Sequence, residues 1–270
     1  MKQATVESHI CDLIRALRTD GAKSAGIIPW SSPVPSFGDI QRSALATLGL
    51  NPSNREFVDA HGNELTGKHR RFHTLDSLGL RCWSKVRDNH IDMIAESCRN
   101  YFENNPYDTW FKRLDEIVAK SGPSYYSKSR TRACHLDLIP FATGEKWMAL
   151  SLAQRSILLE LAGNSLGNLL RGSKVRVLVL NGTSVVRGFE QLSGVKLKEI
   201  YQPSWDLRRI ASQNVRGFSY EGRVKTIGNT KLPIELLILG FNHNIQSSFG
   251  VTRMVRAEIS SWIAKKSGVH

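Results

Sequence analysis

Residues 44–53 read Ala44-Leu45-Ala46-Thr47-Leu48-Gly49-Leu50-Asn51-Pro52-Ser53. Seven apolar or small residues ending abruptly in a polar turn have the form of a buried β-strand, because a strand covered on both faces reads as a continuous apolar run. Three more runs share that form: Ala133 to Ile139, Val175 to Leu180 and Ile234 to Phe241. Between and around them lie helical periods. Val6, Ile10, Leu13, Ile14 and Leu17 space a helix over about 5–18, and Ile91 to Val118 spaces two, broken at Asn104-Asn105-Pro106. Leu152 to Leu170 reads as one long helix, and Thr252 to Lys265 closes the chain with another. Strands alternating with helices predict an α/β fold with a central, mainly parallel, four-stranded sheet. No repeat, low-complexity tract or linker divides the chain, so a single domain over 1–270 is expected, its core at about 28–266.

With 270 residues, 41% hydrophobic and 23% charged, the chain has the balance of a folded protein. Its 37 Lys and Arg against 24 Asp and Glu leave a net charge of +13, which favours a polyanionic partner, nucleic acid first. No apolar run approaches the roughly 20 residues needed to span a bilayer, and no secretory signal is visible. No membrane association and a cytoplasmic location are therefore expected. Cys11, Cys82, Cys98 and Cys134 are scattered without a Cys-x-x-Cys pair, and they read as reduced, mostly buried thiols rather than metal ligands. The segment Pro29 to Gly38 carries three prolines and two aromatics, too apolar for a free linker, and should pack against the domain.

In open parallel sheets ligands bind beyond the carboxyl ends of the strands. There the four runs deliver Gly49-Leu50-Asn51-Pro52-Ser53, then His135 to Pro140, then Asn181-Gly182-Thr183, then Asn242-His243-Asn244 followed by Ser247-Ser248-Phe249-Gly250. Each alone is ordinary turn chemistry. Together they bring amides, a carboxylate, an imidazole and hydroxyls to one rim. The motifs of P-loop NTPases, zinc proteases and esterases are missing from the sequence. The run His69-Arg70-Arg71-Phe72-His73 is too basic to favour a cation and reads as a solvated or phosphate-facing surface.

These rim residues resemble motifs of the uracil-DNA glycosylase superfamily. Gly49-Leu50-Asn51-Pro52-Ser53 is similar to its first motif, a Gly-x-Asn-Pro-Gly-like turn, with Ser53 where glycine is usual. His243, opening the segment through Ser247, Ser248 and Phe249, resembles the second, a His-Pro-Ser loop that wedges into DNA, with Asn244 in place of proline. The resemblance implies a three-layer α/β/α sandwich that flips a nucleotide from DNA and hydrolyses its N-glycosidic bond without metal or cofactor, acting as a monomer. Gly49, Leu50 and Pro52 would shape the base pocket, Ser247, Ser248 and Phe249 would engage DNA, and Arg70 and Arg71 would meet phosphates.

The chemistry assigns roles. As the C1′–N bond lengthens, the sugar gains oxocarbenium character and the base gains negative charge, so the site needs a placed water and a donor to the base. Asn51 can position the water, and His243 can donate to the leaving base. Asp137 stands where superfamily members commonly carry asparagine. A carboxylate only accepts hydrogen bonds, which favours the exocyclic amine of a cytosine-type base over uracil, unless Asp137 merely caps the turn before Pro140. Normal cytosine would be a ruinous target, so a modified cytosine is expected, as with bacterial members that remove glucosylated hydroxymethylcytosine from phage DNA. Trp30 to Phe37 and Tyr125-Tyr126 offer aromatic surface for such a hexose, or simply core. The competing readings are a uracil or mismatch glycosylase in repair, a non-catalytic DNA-binding module, and an enzyme acting on small nucleosides or nucleotides.

Overall fold

The computed structural model describes residues 5–104, 108–127, 132–208, 214–246 and 248–268. Six strands, β1 (Ser43–Gly49), β2 (Arg132–Asp137), β3 (Val177–Asn181), β4 (Lys198–Tyr201), β5 (Phe218–Ile227) and β6 (Thr230–Phe241), form one mixed sheet in the order β2-β1-β3-β6-β5-β4. The four expected strands are β1, β2, β3 and β6, and they make the parallel part. Antiparallel β5 and β4 extend it to six.

The helices among the described residues are α1 (Val6–Leu17), α2 (Asp20–Ser24), α3 (Asp88–Arg99), α4 (Asp108–Val118), α5 (Leu152–Ala162), α6 (Ser165–Arg171), α7 (Thr183–Ser193) and α8 (Arg253–Ser267). Because side chains alternate along a strand, each parallel strand feeds two apolar clusters. Ala46, Leu48, Leu178, Leu180 and Ile238 pack with α1, α3, α5, α6 and α7 on one face. Leu45, Val177, Val179, Leu237 and Leu239 pack with α4 and α8 on the other. No described helix is long and apolar enough to cross a membrane. Of the cysteines, Cys98 and Cys134 are buried, Cys11 is half-buried and Cys82 is exposed; all four are free thiols.

The expected four-stranded sheet and single helix over Leu152–Leu170 both need correction. β5 and β4 escape an apolar-run criterion because each turns charges to solvent: Arg223 faces Glu235 at 3.6 Å and Lys266 meets Glu221 at 2.7 Å. Lys198 and Glu199 lie exposed on the outer edge, where charge discourages pairing with another chain. The turn between β5 and β6 is Gly228-Asn229, with Gly228 at φ +54°, a two-residue hairpin signal legible in the sequence. That hairpin carries β6 back to Thr230, through Pro233, where the ladder with β5 shifts register. The long helix breaks at Gly163, φ +50°. The break frees Asn164, whose Oδ1 accepts from Asn229 N (2.8 Å), while Asn168 Oδ1 accepts from the Thr230 hydroxyl (3.0 Å). α7, unread in the sequence, buries Val185, Val186 and Phe189.

Pro29 to Gly38 is packed, as expected. Residues 31–38 are all buried, and Phe37 exchanges backbone hydrogen bonds with His135 of β2 (2.8 and 2.9 Å).

Gly167 lets α6 approach the β5–β6 hairpin. A Cβ there would lie 2.8 Å from both Ile227 O and Thr230 Cβ. Gly→Ala inside a helix ordinarily gains up to roughly 1 kcal/mol, but Gly167→Ala is expected to cost about 1–3 kcal/mol through overpacking, read as a lowered Tm. A raised Tm would show that the helix and hairpin are not in this contact.

Candidate active site

At the carboxyl ends of the parallel strands lies a cavity of about 210 Å³. Gly49, Leu50, Asn51, Pro52 and Ser53 leave β1 along its wall, Asp137 and His135 come from β2, Asn181 from β3, and Asn244 from the segment after β6. Phe37, Trp110 and Phe111 line it from the Pro-rich segment and the first turn of α4, and Glu56 completes it.

Strand register explains the wall. β1 and β2 run parallel with Thr47 beside His135 and Gly49 beside Asp137, so these four residues share the face turned to the aromatic cluster. Thr47 Oγ1 lies 2.7 Å from His135 Nδ1 and 2.5 Å from the Tyr125 hydroxyl; His135 Nε2 lies 3.4 Å from Asp137 Oδ1. A neutral imidazole carries one proton. Facing a carboxylate, that proton belongs on Nε2, which makes Nδ1 the acceptor from Thr47 and Thr47 the acceptor from Tyr125. Burial pushes the Tyr125 phenol well above its ordinary pKa, so it remains a donor. A buried chain therefore runs Tyr125 to Thr47 to His135, with Asp137 Oδ1 3.4 Å from Nε2 and Phe37, Phe111 and Trp110 ringing the imidazole at 5.3–5.8 Å.

Asn51 is oriented from behind. Its Nδ2 donates to Thr143 Oγ1 (3.0 Å) and to Pro52 O (3.2 Å), while the Thr143 hydroxyl donates to Glu145 O (2.7 Å). With the amide nitrogen engaged, the oxygen is what Asn51 offers to the cavity. Asn181 Nδ2 donates to Gln246 Oε1 (2.7 Å), and its Oδ1 accepts from Ile245 N (3.1 Å), which ties the segment after β6 to the rim.

Glu56 is 3% exposed. Its Oε2 accepts from the Tyr101 hydroxyl (2.8 Å) and faces Arg71 Nη1 at 3.6 Å, and the residue lines the cavity. Burial pushes its pKa up to about 7, against the opposing pull of Arg71 and Tyr101 and with a small further push from Asp137.

The structure thus brings Gly49, Leu50, Asn51, Pro52 and Asp137 into one cavity, and leaves other expected residues elsewhere. His243 is buried, its Nε2 2.7 Å from Trp205 O, and it does not line the cavity; burial lowers its pKa. Since that carbonyl can only accept, Nε2 carries the proton. Arg71 turns inward instead of facing phosphates: its side chain is 12% exposed, against Glu56, with Nη1 donating to Arg55 O (2.8 Å). Arg70 is exposed and lines, with Arg71, a separate cavity of about 330 Å³ against α3. Ser248 Oγ accepts from Asn244 N (2.9 Å), an internal staple of its loop, and Ser247 lies outside the described residues. Phe249 is 81% exposed. Tyr125 is core, stacked on Phe102 at 4.7 Å, and of Trp30 to Phe37 only Phe37 reaches the cavity.

His135, placed at the rim by the sequence but given no role there, and Glu56, not read at all, both line the cavity. For His135 a signal existed: it precedes Asp137 by two, so both fall on one strand face. Glu56 had none, since its direction is set by a short 3₁₀ turn, Asn54–Glu56, and by contacts with distant Tyr101 and Arg71. Among the described residues no group of three or more His, Cys, Asp or Glu could hold a metal ion.

Gly49 is what admits this arrangement. A Cβ on it would lie 2.3 Å from Asp137 Oδ1 and 3.0 Å from His135 Nε2. Gly49→Ala is expected to swing the Asp137 carboxylate out of place and cost about 1–3 kcal/mol in stability. A crystal structure of the variant checks this; an unmoved Asp137 side chain would contradict it.

Compared with known proteins, the chain matches no protein-family model and no curated protein.

Proposed function

We propose that this chain is a DNA glycosylase with the α/β/α sandwich of the uracil-DNA glycosylase type. In this reading it is a single-domain, monomeric hydrolase of the bacterial cytoplasm that removes a modified cytosine from phage DNA. The observation that carries the reading is the cavity at the carboxyl ends of β1, β2, β3 and β6, where the turn Gly49–Ser53 and Asp137 meet. At about 210 Å³ it is smaller than the roughly 300–1,000 Å³ pockets of drug-sized ligands. It suits one flat ring between aromatic walls, and a substituent as large as a hexose would extend beyond it.

Enzymes that cut the bond between base and sugar take the base out of the stack. An exposed Phe249, on a loop stapled by Asn244 and Ser248 and anchored through Asn181, supports a wedge that fills the vacated space. The +13 charge supports a phosphate backbone as partner. In the cavity the Asp137 carboxylate accepts from an exocyclic amine, and the neighbouring His135 Nε2–H supplies a donor to a ring or carbonyl acceptor. The donor role that the motif resemblance gives to His243 passes to His135, the imidazole that lines the cavity. Asn51 holds water through its amide oxygen while the C1′–N bond lengthens.

The deciding experiment incubates the protein with oligonucleotides carrying uracil, cytosine, hydroxymethylcytosine or its glucosylated form and identifies any released base by mass spectrometry. Release of a modified cytosine is expected; release of uracil alone would favour a repair enzyme, and tight binding with no release a DNA-binding module. Asn51→Ala should leave binding nearly intact and lower single-turnover rate by on the order of 10²-fold or more. Asp137→Asn, which replaces an acceptor by a donor, should shift the ratio of modified-cytosine to uracil excision by roughly 5- to 150-fold toward uracil. An unchanged ratio would leave Asp137 a structural residue.

A further inference from the structure

We infer that Glu56, resting on the glycosylase reading above, is the general base that takes the proton of the attacking water. Asn51 can place a water but is a feeble base, since an amide oxygen accepts a hydrogen bond without taking up a proton at neutral pH. Of the carboxylates on the cavity, Asp137 has His135 Nε2 beside it and stands at the end of β2 as an acceptor for the base edge. Glu56 stands apart from that pair. Its Oε2 is held by the Tyr101 hydroxyl and Arg71, which fixes its side chain at the cavity it lines together with Asn51.

Among the described residues, the charged and titratable groups around it are Arg71, Tyr101 after α3, and Asp137 and His135 on β2. Arg71 favours the carboxylate form and Asp137 opposes it, while burial sets the balance near neutral pH. Two carboxylates in one cavity, one tuned to neutral pH by its surroundings, is the arrangement that divides acid–base work from binding.

The step balances. The water oxygen bonds to C1′ as the C1′–N bond breaks, and that bond's electron pair stays on the base nitrogen. The water proton passes to Glu56 and from there reaches the departing base, directly or through solvent. The products are a neutral base and an abasic sugar with a C1′ hydroxyl.

The test is single-turnover base release from a uracil, hydroxymethylcytosine or glucosylated hydroxymethylcytosine oligonucleotide, whichever the wild type cleaves, between pH 5 and 9. A general base works ionised, so the wild-type rate should rise with pH through about 7 and level off above it. Glu56→Gln should lower the plateau rate by on the order of 10²-fold or more and abolish the acid limb, with DNA affinity kept. Tyr101→Phe provides the second readout. It removes a hydrogen bond to the carboxylate form, so the midpoint of the limb should move to higher pH. Glu56→Gln within tenfold of wild type at every pH, a limb of the opposite sign, or an unmoved midpoint in Tyr101→Phe would each overturn the assignment while leaving a glycosylase. Release of no base by the wild type would instead overturn the glycosylase reading, and the role of Glu56 with it.

Discussion

The parallel pairing of β1 with β2 is the constraint on which the cavity depends. One register places Thr47 against His135 and Gly49 against Asp137, and a slip by one residue would turn both polar side chains to the other face, into an apolar cluster. Everything on that wall follows: the carboxylate that settles which imidazole nitrogen carries the proton, the hydroxyl and phenol behind the ring, and the missing Cβ that makes room for that carboxylate. Phe37 adds to the same ladder from the far side of β2, so the Pro-rich segment is held by backbone hydrogen bonds as well as by its apolar side chains. Such a wall is rigid because its polar groups are bonded to one another rather than to solvent.

The remainder of the sheet solves a different problem. The parallel strands need cover on both faces, which the helices supply, whereas β5 and β4 run out toward solvent and carry charge on their exposed positions. The break at Gly163 joins the two regimes: by ending α5 early it places Asn164 and Asn168 against the hairpin turn, so that α6 grips the antiparallel extension through side-chain hydrogen bonds.

What the sequence makes legible tracks these two regimes. Strands buried on both faces announce themselves as apolar runs, and β1, β2, β3 and β6 were readable for that reason. β5, with Glu221, Arg223 and Lys225 along it, presents alternation instead, and its Gly228-Asn229 turn was the signal left unread. Within the cavity, the residues of the turn after β1 and Asp137 were legible because they follow strand ends. His135 was named with them, but its role depends on Asp137 and on Thr47 standing beside it, and Thr47 is supplied only by the strand register. Glu56 and the aromatics Trp110 and Phe111 arrive from separate elements, and no local pattern shows that they converge. His243 shows the converse: a residue of the right type at a strand end whose ring is claimed by the Trp205 carbonyl, a contact between segments 38 residues apart in the chain.

Topology also orders assembly. The β5–β6 hairpin closes over two residues, whereas β1 meets β2 across roughly 90 residues of chain, and closing so long a loop forfeits entropy before any contact compensates. The hairpin is therefore expected to protect its amides early in refolding and the β1–β2 ladder late, a difference that pulse-labelled hydrogen exchange resolves. The cavity wall would then be among the last parts of the molecule to exist. A chain caught before that point would already carry its antiparallel sheet and its positive charge, but not the wall that brings Asn51 and Asp137 to one cavity.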